Sequence, residues 1–162
     1  MIFKVRNKGI SAKRSKVLVA SAHFFMDHMI KDYQSKITTF RYFMDHHSCQ
    51  SGDYGYQTEL AALPGHYTIS ISKDSRLKEA IEYCAHEFIH LKQTLSGTVI
   101  LIPTFRKRGE SEWFWGGRSY GIDPYKRHLT RESHIKYLPW EKEAYDNQKR
   151  WATKFFESSY FH

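Results

Sequence analysis

Residues 85–90 of this chain read Ala-His-Glu-Phe-Ile-His and contain the pattern His-Glu-x-x-His. On an α-helix, residues four apart lie on one face, so both imidazoles can reach a single metal ion. Zinc binds neutral imidazole nitrogens readily, and a catalytic zinc site keeps one position open for water. The pattern therefore indicates a zinc site with His86 and His90 as ligands, and with Glu87 placed to take a proton from that water.

The residues on both sides of the motif predict that it lies on a helix spanning residues 76–95. Asp74 or Ser75 is a candidate N-cap, and Ser96 followed by Gly97 is typical of a helix end. Apolar residues recur at spacings of three and four, and this stripe is expected to face the core. The stripe comprises Leu77, Ile81, Cys84, Phe88, Leu91 and Leu95.

Helical phase separates the two histidines from that stripe. At about 100° per residue, His86 and His90 lie almost opposite Phe88, on the side that also carries Glu79 and Tyr83. A histidine pair inside the hydrophobic core is therefore not expected. A pair of solvent-exposed surface histidines stays an alternative to a metal site.

A catalytic zinc ion usually has three protein ligands, so a later segment is expected to supply the third. Residues 138–144, Leu-Pro-Trp-Glu-Lys-Glu-Ala, begin a predicted helix that continues to about residue 158. Helical phase places Glu141 on the inward stripe and Glu143 on the polar side, which favours Glu141 as the ligand with Glu143 as the alternative. Both acids are also typical of a first helical turn, where they complement the helix dipole. The inward stripe comprises Glu141, Ala144, Gln148, Trp151 and Phe155.

These motifs in this order resemble the gluzincin branch of the zincin metallopeptidases, in which a glutamate on a second helix completes the zinc site. Small single-domain zincins of phage and bacterial genomes are similar in further features. These are a glutamine three residues after the motif, an aromatic-Gly pair and the Leu-Pro-Trp-Glu-x-Glu-Ala run, matched here by Gln93, Trp115-Gly116 and residues 138–144. Tyr145 stands where several gluzincins have an acidic residue that orients a histidine.

The resemblance implies an α+β, zincin-like fold with an N-terminal helix, a small mixed or antiparallel sheet, the motif helix and a C-terminal helix that carries the third ligand. It also implies a peptidase in which His86, His90 and Glu141 hold Zn²⁺ and Glu87 is the general base for a peptide or protein substrate. A further donor often stabilises the oxyanion in such enzymes. Candidates for that donor are Arg118, Tyr120, His134 and Tyr137.

Composition predicts one globular domain, residues 1–162, because 41% of the residues are hydrophobic and 16% are aromatic. No stretch approaches 18 apolar residues, so no membrane span is expected. The basic segment 4–16 precedes an apolar run that Ser21, His23 and Asp27 interrupt. A first amphipathic helix is therefore expected in place of a signal peptide, which favours a cytoplasmic protein, and the resemblance implies a phage-encoded one acting in its host. The inward stripe of this helix comprises Leu18, Ala22, Phe25 and Met29.

Cys49 and Cys84 are the two cysteines, so no disulfide framework is expected. Cys84 belongs to the apolar stripe of the motif helix, whereas Cys49 follows His46 and His47 and could bind a metal with them. The Ser, Gly and Asp that follow Cys49 favour an ordinary loop.

Five segments have the residues typical of strands. Segments 37–44 and 67–72 are β-branched, aromatic or alternating, and 57–63 is a weaker candidate. In zincins an edge strand near the metal pairs with the substrate backbone, and one of these three is expected to do so. Segments 99–102 and 112–115 lie on either side of the basic segment 106–109 (Arg-Lys-Arg-Gly). This arrangement predicts a hairpin or an extended loop between two strands.

The formal net charge is +8 and the pI is about 9.4, with Lys and Arg clustered near the N-terminus and at residues 106–108 and 126–127. Such charge is typical of a solvated surface, but it also fits nucleic acid or another anionic partner. No nucleic-acid module motif is present. The alternative function is therefore a non-catalytic basic binding module on a zincin-like scaffold, with or without zinc. No feature predicts an oligomeric state.

Overall fold

Seven strands, five α-helices and one 3-10 helix (Lys31–Lys36) succeed one another in a computed structural model that describes residues 1–46, 55–59, 64–104 and 110–162. The mixed content agrees with the α+β class expected from the sequence. In chain order the elements are β1 (Ile2–Arg6), α1 (Ala12–Met29), β2 (Thr39–His46), β3 (Gly55–Glu59), β4 (His66–Ser72), α2 (Leu77–Ser96), β5 (Val99–Pro103), β6 (Ser111–Trp115), β7 (Arg118–Ile122), α3 (Pro124–Arg127), α4 (Arg131–Tyr137) and α5 (Pro139–Phe156).

The first sheet is mixed and has the strand order β1-β2-β4-β3. Strands β1, β2 and β4 run parallel, and β3 pairs antiparallel with β4 at one edge. Strands β2 and β4 confirm the strands predicted at residues 37–44 and 67–72. Strand β3 begins two residues before the weaker candidate at 57–63, and residues 60–63 lie outside the described chain. Strand β1 was not expected, because its alternation is short and is masked by Lys4 and Arg6, which suit an exposed edge.

The second sheet is antiparallel, with the order β5-β6-β7. Strands β5 and β6 confirm the two strands predicted on either side of the basic segment. Residues 105–109, which include that segment, lie outside the described chain. Strand β7 was missed. The aromatic-Gly pair noted in the sequence lies at the β6–β7 turn, where Gly116 and Gly117 both have positive φ angles of 53° and 82°. This turn needs glycine because other L-residues rarely adopt such angles.

Helices α1 and α2 pack together and fill the core beside the first sheet. All four residues of the predicted α1 stripe are buried, and five of the six α2 stripe residues are buried, with Leu77 partly buried. The Phe88 ring lies 5.6 Å from Phe25 and 5.5 Å from Phe40, measured between centroids. Burial raises the pKa of Cys84 to about 12, so this thiol behaves as an apolar core group that accepts a hydrogen bond from Tyr42.

Helix α2 runs from Leu77 to Ser96 and is one residue offset from the predicted 76–95. Its N-cap is Arg76, so the prediction of Asp74 or Ser75 was wrong. The Ser75 hydroxyl instead donates to the Ser72 carbonyl at 2.9 Å, and the Glu79 side chain caps the Arg76 N–H at 3.0 Å. Gly97 ends the helix with φ at 74°, as expected for a glycine C-cap.

A separate aromatic cluster fixes the start of α5. Val99, Leu138 and Trp140 are buried there, with Trp113 and Trp115 of β6 packed against them. The Trp113 and Trp140 rings stack with centroids 5.3 Å apart. The second sheet therefore holds the first turn of α5 against the rest of the molecule. No helix in the described part of the chain has both the length and the apolar character needed to cross a bilayer.

Gly65 is expected to tolerate alanine much less well than Gly97, although both have positive φ angles, 82° and 74°. A Cβ at Gly65 would lie 3.0 Å from the Lys36 carbonyl oxygen, whereas nothing lies within 4 Å of one at Gly97. Gly97→Ala should therefore cost about 1 kcal/mol of unfolding free energy for the backbone conformation, and Gly65→Ala roughly 1–3 kcal/mol more for the clash. Urea unfolding measures both, and equal losses would contradict the clash.

Candidate metal centre

The site lies where α2 and α5 pack against each other. His86 and His90 come from adjacent turns of α2, and Glu141 comes from the first turn of α5. Their potential ligand atoms all lie within 4.8 Å of one another. Within the described residues, this is the group of histidine and acidic side chains whose geometry could hold a metal ion.

The separations between the donor atoms suit a small tetrahedral ion. The two Nε2 atoms are 3.0 Å apart, and the Glu141 oxygens lie 3.4 Å from His86 Nε2 and 3.3 Å from His90 Nε2. Ligands at zinc distances of about 2.0–2.1 Å and tetrahedral angles are about 3.3 Å from each other. Little movement would therefore bring all three donors to a common ion.

The orientation of His90 is fixed by Gln93. The Gln93 Nε2 group donates to the Trp140 carbonyl at 3.1 Å and to Glu143 Oε2 at 2.9 Å, and both of these partners can only accept. Its other side-chain atom, Oε1, therefore faces His90 Nδ1 at 2.8 Å. Because a carbonyl oxygen accepts, Nδ1 carries the proton, and Nε2 of the neutral ring presents a lone pair to the site.

His86 is held from α5 by a hydrogen bond with a glutamine side chain. Its Nδ1 lies 2.9 Å from Gln148 Oε1, and its ring packs on Tyr145 with centroids 4.6 Å apart. In several gluzincins an acidic residue at the position of Tyr145 orients a zinc-binding histidine. In this chain the hydrogen bond to His86 comes instead from Gln148, about one turn later on α5. The sequence placed Gln148 on the inward stripe but assigned it no role.

This arrangement directs three acceptors at one point. With both Nδ1 atoms protonated, two imidazole lone pairs and a carboxylate meet at 3.0–3.4 Å, and such a set is stable only around a positive charge. In the metal-free chain a proton can supply that charge. Burial opposes it, but the hydrogen bond and charge of Glu141 raise the pKa of His90 to about 9. Burial likewise opposes ionisation of Glu141, but hydrogen bonds with His86 and His90 hold its pKa well below the usual range.

The structure distinguishes the two candidate carboxylates. Glu141 is buried and faces both histidines, whereas Glu143 accepts the Gln93 hydrogen bond on the far side of His90. Glu143 therefore helps to hold Gln93, which in turn orients His90, and it is not among the converging donors. The alternative of two solvent-exposed histidines is wrong, because α5 covers them and His86 is only 7% exposed.

Glu87 is also buried, at 6% exposure, and follows His86 directly on α2. Its charge reaches the site: burial, Glu141 and Glu87 together raise the pKa of Tyr125 well above its usual value. A buried carboxylate next in sequence to a candidate ligand is a candidate general base.

None of the four side chains considered as oxyanion donors makes a hydrogen bond to the three converging residues in the described structure. Tyr120 packs on Trp140, and Arg118 lies over the Tyr120 ring. His134 contacts the His128 carbonyl, and Tyr137 stacks on the His128 ring. The hydroxyl that does reach the site belongs to Tyr125, which donates to Glu141 Oε1 and which the sequence did not single out.

The remaining metal candidate of the sequence, Cys49 with the side chains of His46 and His47, lies outside the residues whose side chains the structure describes. The buried group of two histidines and one glutamate is therefore the candidate centre, and its donor set suits zinc. No known protein family matches the chain, and neither does any curated protein or any solved structure.

Proposed function

We propose that this protein is a zinc-dependent metallopeptidase with a zincin-like fold, in which His86, His90 and Glu141 hold Zn²⁺ and Glu87 is the general base. The convergence of two neutral imidazole nitrogens and a carboxylate on one point carries the proposal. Two histidines and one glutamate are the ligand set of thermolysin-type peptidases. The glutamate beside the first histidine adds the base that peptide hydrolysis needs.

The residues divide the chemistry between them. Bound zinc would polarise the scissile carbonyl and lower the pKa of water to about 7. Glu87 would accept the proton of the attacking water and deliver it to the leaving amine. Gln93 and Gln148 keep the two imidazoles in the tautomer that binds a metal. The His90 side chain is 16% exposed against 9% for His86, which favours approach of a peptide from the His90 side.

Zinc content and cleavage test this proposal together. After dialysis against Zn²⁺ and removal of excess metal, we expect about one zinc ion per chain by elemental analysis. Incubation with a peptide library should then give new termini by mass spectrometry. A chelator should abolish cleavage, and added Zn²⁺ should restore it. Zinc far below one ion per chain would contradict the metal site, and absence of cleavage by the zinc-loaded protein would contradict the peptidase.

A basic binding module is the second candidate, favoured by the charge of the first elements. Six Lys or Arg residues and no acid precede Asp27. Five of these six are exposed, so they can meet an anionic partner. Zinc-loaded protein without cleavage that binds single-stranded oligonucleotide with a steep salt dependence would support this candidate instead. The five exposed residues are Lys4, Arg6, Lys8, Lys13 and Lys16.

The compartment stays a prediction from sequence. A cytoplasmic, phage-encoded protein remains our expectation. Cys84 favours a reducing compartment, because it is a free buried thiol in the core.

A further inference from the structure

We infer that Tyr125 is a positioning residue for Glu141: a relay of hydrogen bonds from Trp140 through Tyr125 holds one carboxylate oxygen and thereby sets the metal affinity of the site. The inference rests on the proposed metal site and adds to it a residue that does not touch the metal. Tyr125 lies on α3, sixteen residues before Glu141 in the chain.

The direction of the relay follows from the chemistry of its groups. The indole Nε1 of Trp140 can only donate, and it lies 2.6 Å from the Tyr125 hydroxyl oxygen. That oxygen is therefore an acceptor toward Trp140, and its single proton is left for another partner. Glu141 Oε1 is the acceptor in reach, so Tyr125 donates to the carboxylate. No other assignment satisfies all three groups.

The consequence for Glu141 is a fixed carboxylate plane. One oxygen, Oε1, is held by the phenol, and the other, Oε2, faces His86 Nε2 at 3.4 Å. A glutamate side chain that is free to rotate must be ordered when a metal binds, which weakens binding. Tyr125 removes that requirement because it orders the ligand in advance. Hydrogen bonds to metal-ligating carboxylates act in this way in metal sites generally.

The fold holds Tyr125 firmly enough for this role. Its ring makes edge contacts with Trp113 at 5.3 Å and with His134 at 5.0 Å between centroids. The chain enters α3 through Asp123, which has a φ of 46°. Among the described residues, every other positive φ belongs to a glycine. Aspartate tolerates this left-handed conformation better than most residues other than glycine, and the conformation sets the direction in which the chain enters α3. Here it lies two residues before the phenol that contacts the ligand.

Tyr125→Phe tests the inference, because it removes the hydroxyl and keeps the ring. We expect zinc affinity, measured by competition with a chromophoric chelator, to fall about 10- to 100-fold. The visible spectrum of the Co²⁺-loaded protein should change as well, because the carboxylate geometry changes. Tyr120→Phe is the matched control: its ring also packs on Trp140, at 5.3 Å, so loss of its hydroxyl should leave affinity and spectrum unchanged.

Each outcome has a consequence. Wild-type affinity and spectrum in Tyr125→Phe would overturn the inference, as would equal losses in Tyr125→Phe and Tyr120→Phe, which would indicate a packing effect. If Tyr125→Phe does not fold, Trp140→Phe removes the indole N–H together with part of a buried ring, and unchanged affinity in that variant overturns the relay. Wild-type protein that binds no zinc overturns both this inference and the proposed function. Wild-type protein that binds zinc without cleaving peptides overturns the peptidase only.

Discussion

Glu141→Gln is expected to lower zinc affinity by roughly a thousandfold, the largest effect on binding among the variants considered. The amide keeps the size of the carboxylate but has no charge to set against the ion. Removing one member of a buried charged set costs about 3–5 kcal/mol, and about 1.4 kcal/mol corresponds to a tenfold change in affinity. Competition with a chelator of known affinity measures the loss, and peptide cleavage should fall with the bound zinc.

Glu143→Gln is the matched control, two residues away on the same helical turn. Glu143 accepts one hydrogen of the Gln93 amide, while the other hydrogen stays on the Trp140 carbonyl. The orientation of Gln93, and with it the tautomer of His90, should therefore survive. We expect about a tenfold loss of affinity or less. Equal losses in the two variants would show that the wrong carboxylate has been assigned as the ligand.

Much of this site could be predicted from one helix at a time. The period of α2 placed both histidines away from the core stripe, and the period of α5 placed Glu141 inward and Glu143 outward. Long helices report their buried faces reliably, because many residues share one period. The Ser96-Gly97 pair gave the C-terminal end of α2 to within one residue, whereas the N-cap was predicted wrongly.

Contacts between elements could not be predicted in this way. The phase of α2 says which side carries His86, but not that α5 covers that side, so solvent-exposed histidines stayed possible until the packing was known. The partnership of His86 with Gln148 spans 62 residues, and no local pattern encodes it. Tyr125 was missed for the same reason, since a four-residue helix has no period to interpret.

Short or irregular elements were missed for a related reason. Strand β1 has five residues and carries two basic side chains, which hide its short alternation. Strand β7 contains Gly121, whose φ of 81° breaks the alternation of an ordinary strand. Both strands owe their existence to pairing with a neighbour, β2 or β6, and this pairing overrides weak local preference.

Glu87→Gln is expected to lower peptide cleavage by about 10²- to 10⁴-fold while leaving zinc affinity unchanged. The substitution removes the proton acceptor but keeps the shape of the side chain, and Glu87 is not one of the three converging donors. Loss of turnover with full zinc content therefore separates the base from the ligands, which Glu141→Gln cannot do. The readouts are kcat on a peptide identified from the library and zinc per chain by elemental analysis.

Glu82→Gln provides the same chemical change on the same helix, five residues earlier and only partly buried. Although Glu82 lies one turn before His86, it makes no hydrogen bond or ion pair with the three converging residues in the described structure, so both cleavage and zinc content should stay at wild-type values. If Glu87→Gln instead turns over as fast as the wild type, another group takes the proton from water, and Glu87 has no part in the chemistry. If it loses zinc as well, its carboxylate supports the metal, and the division between base and ligands drawn here is wrong.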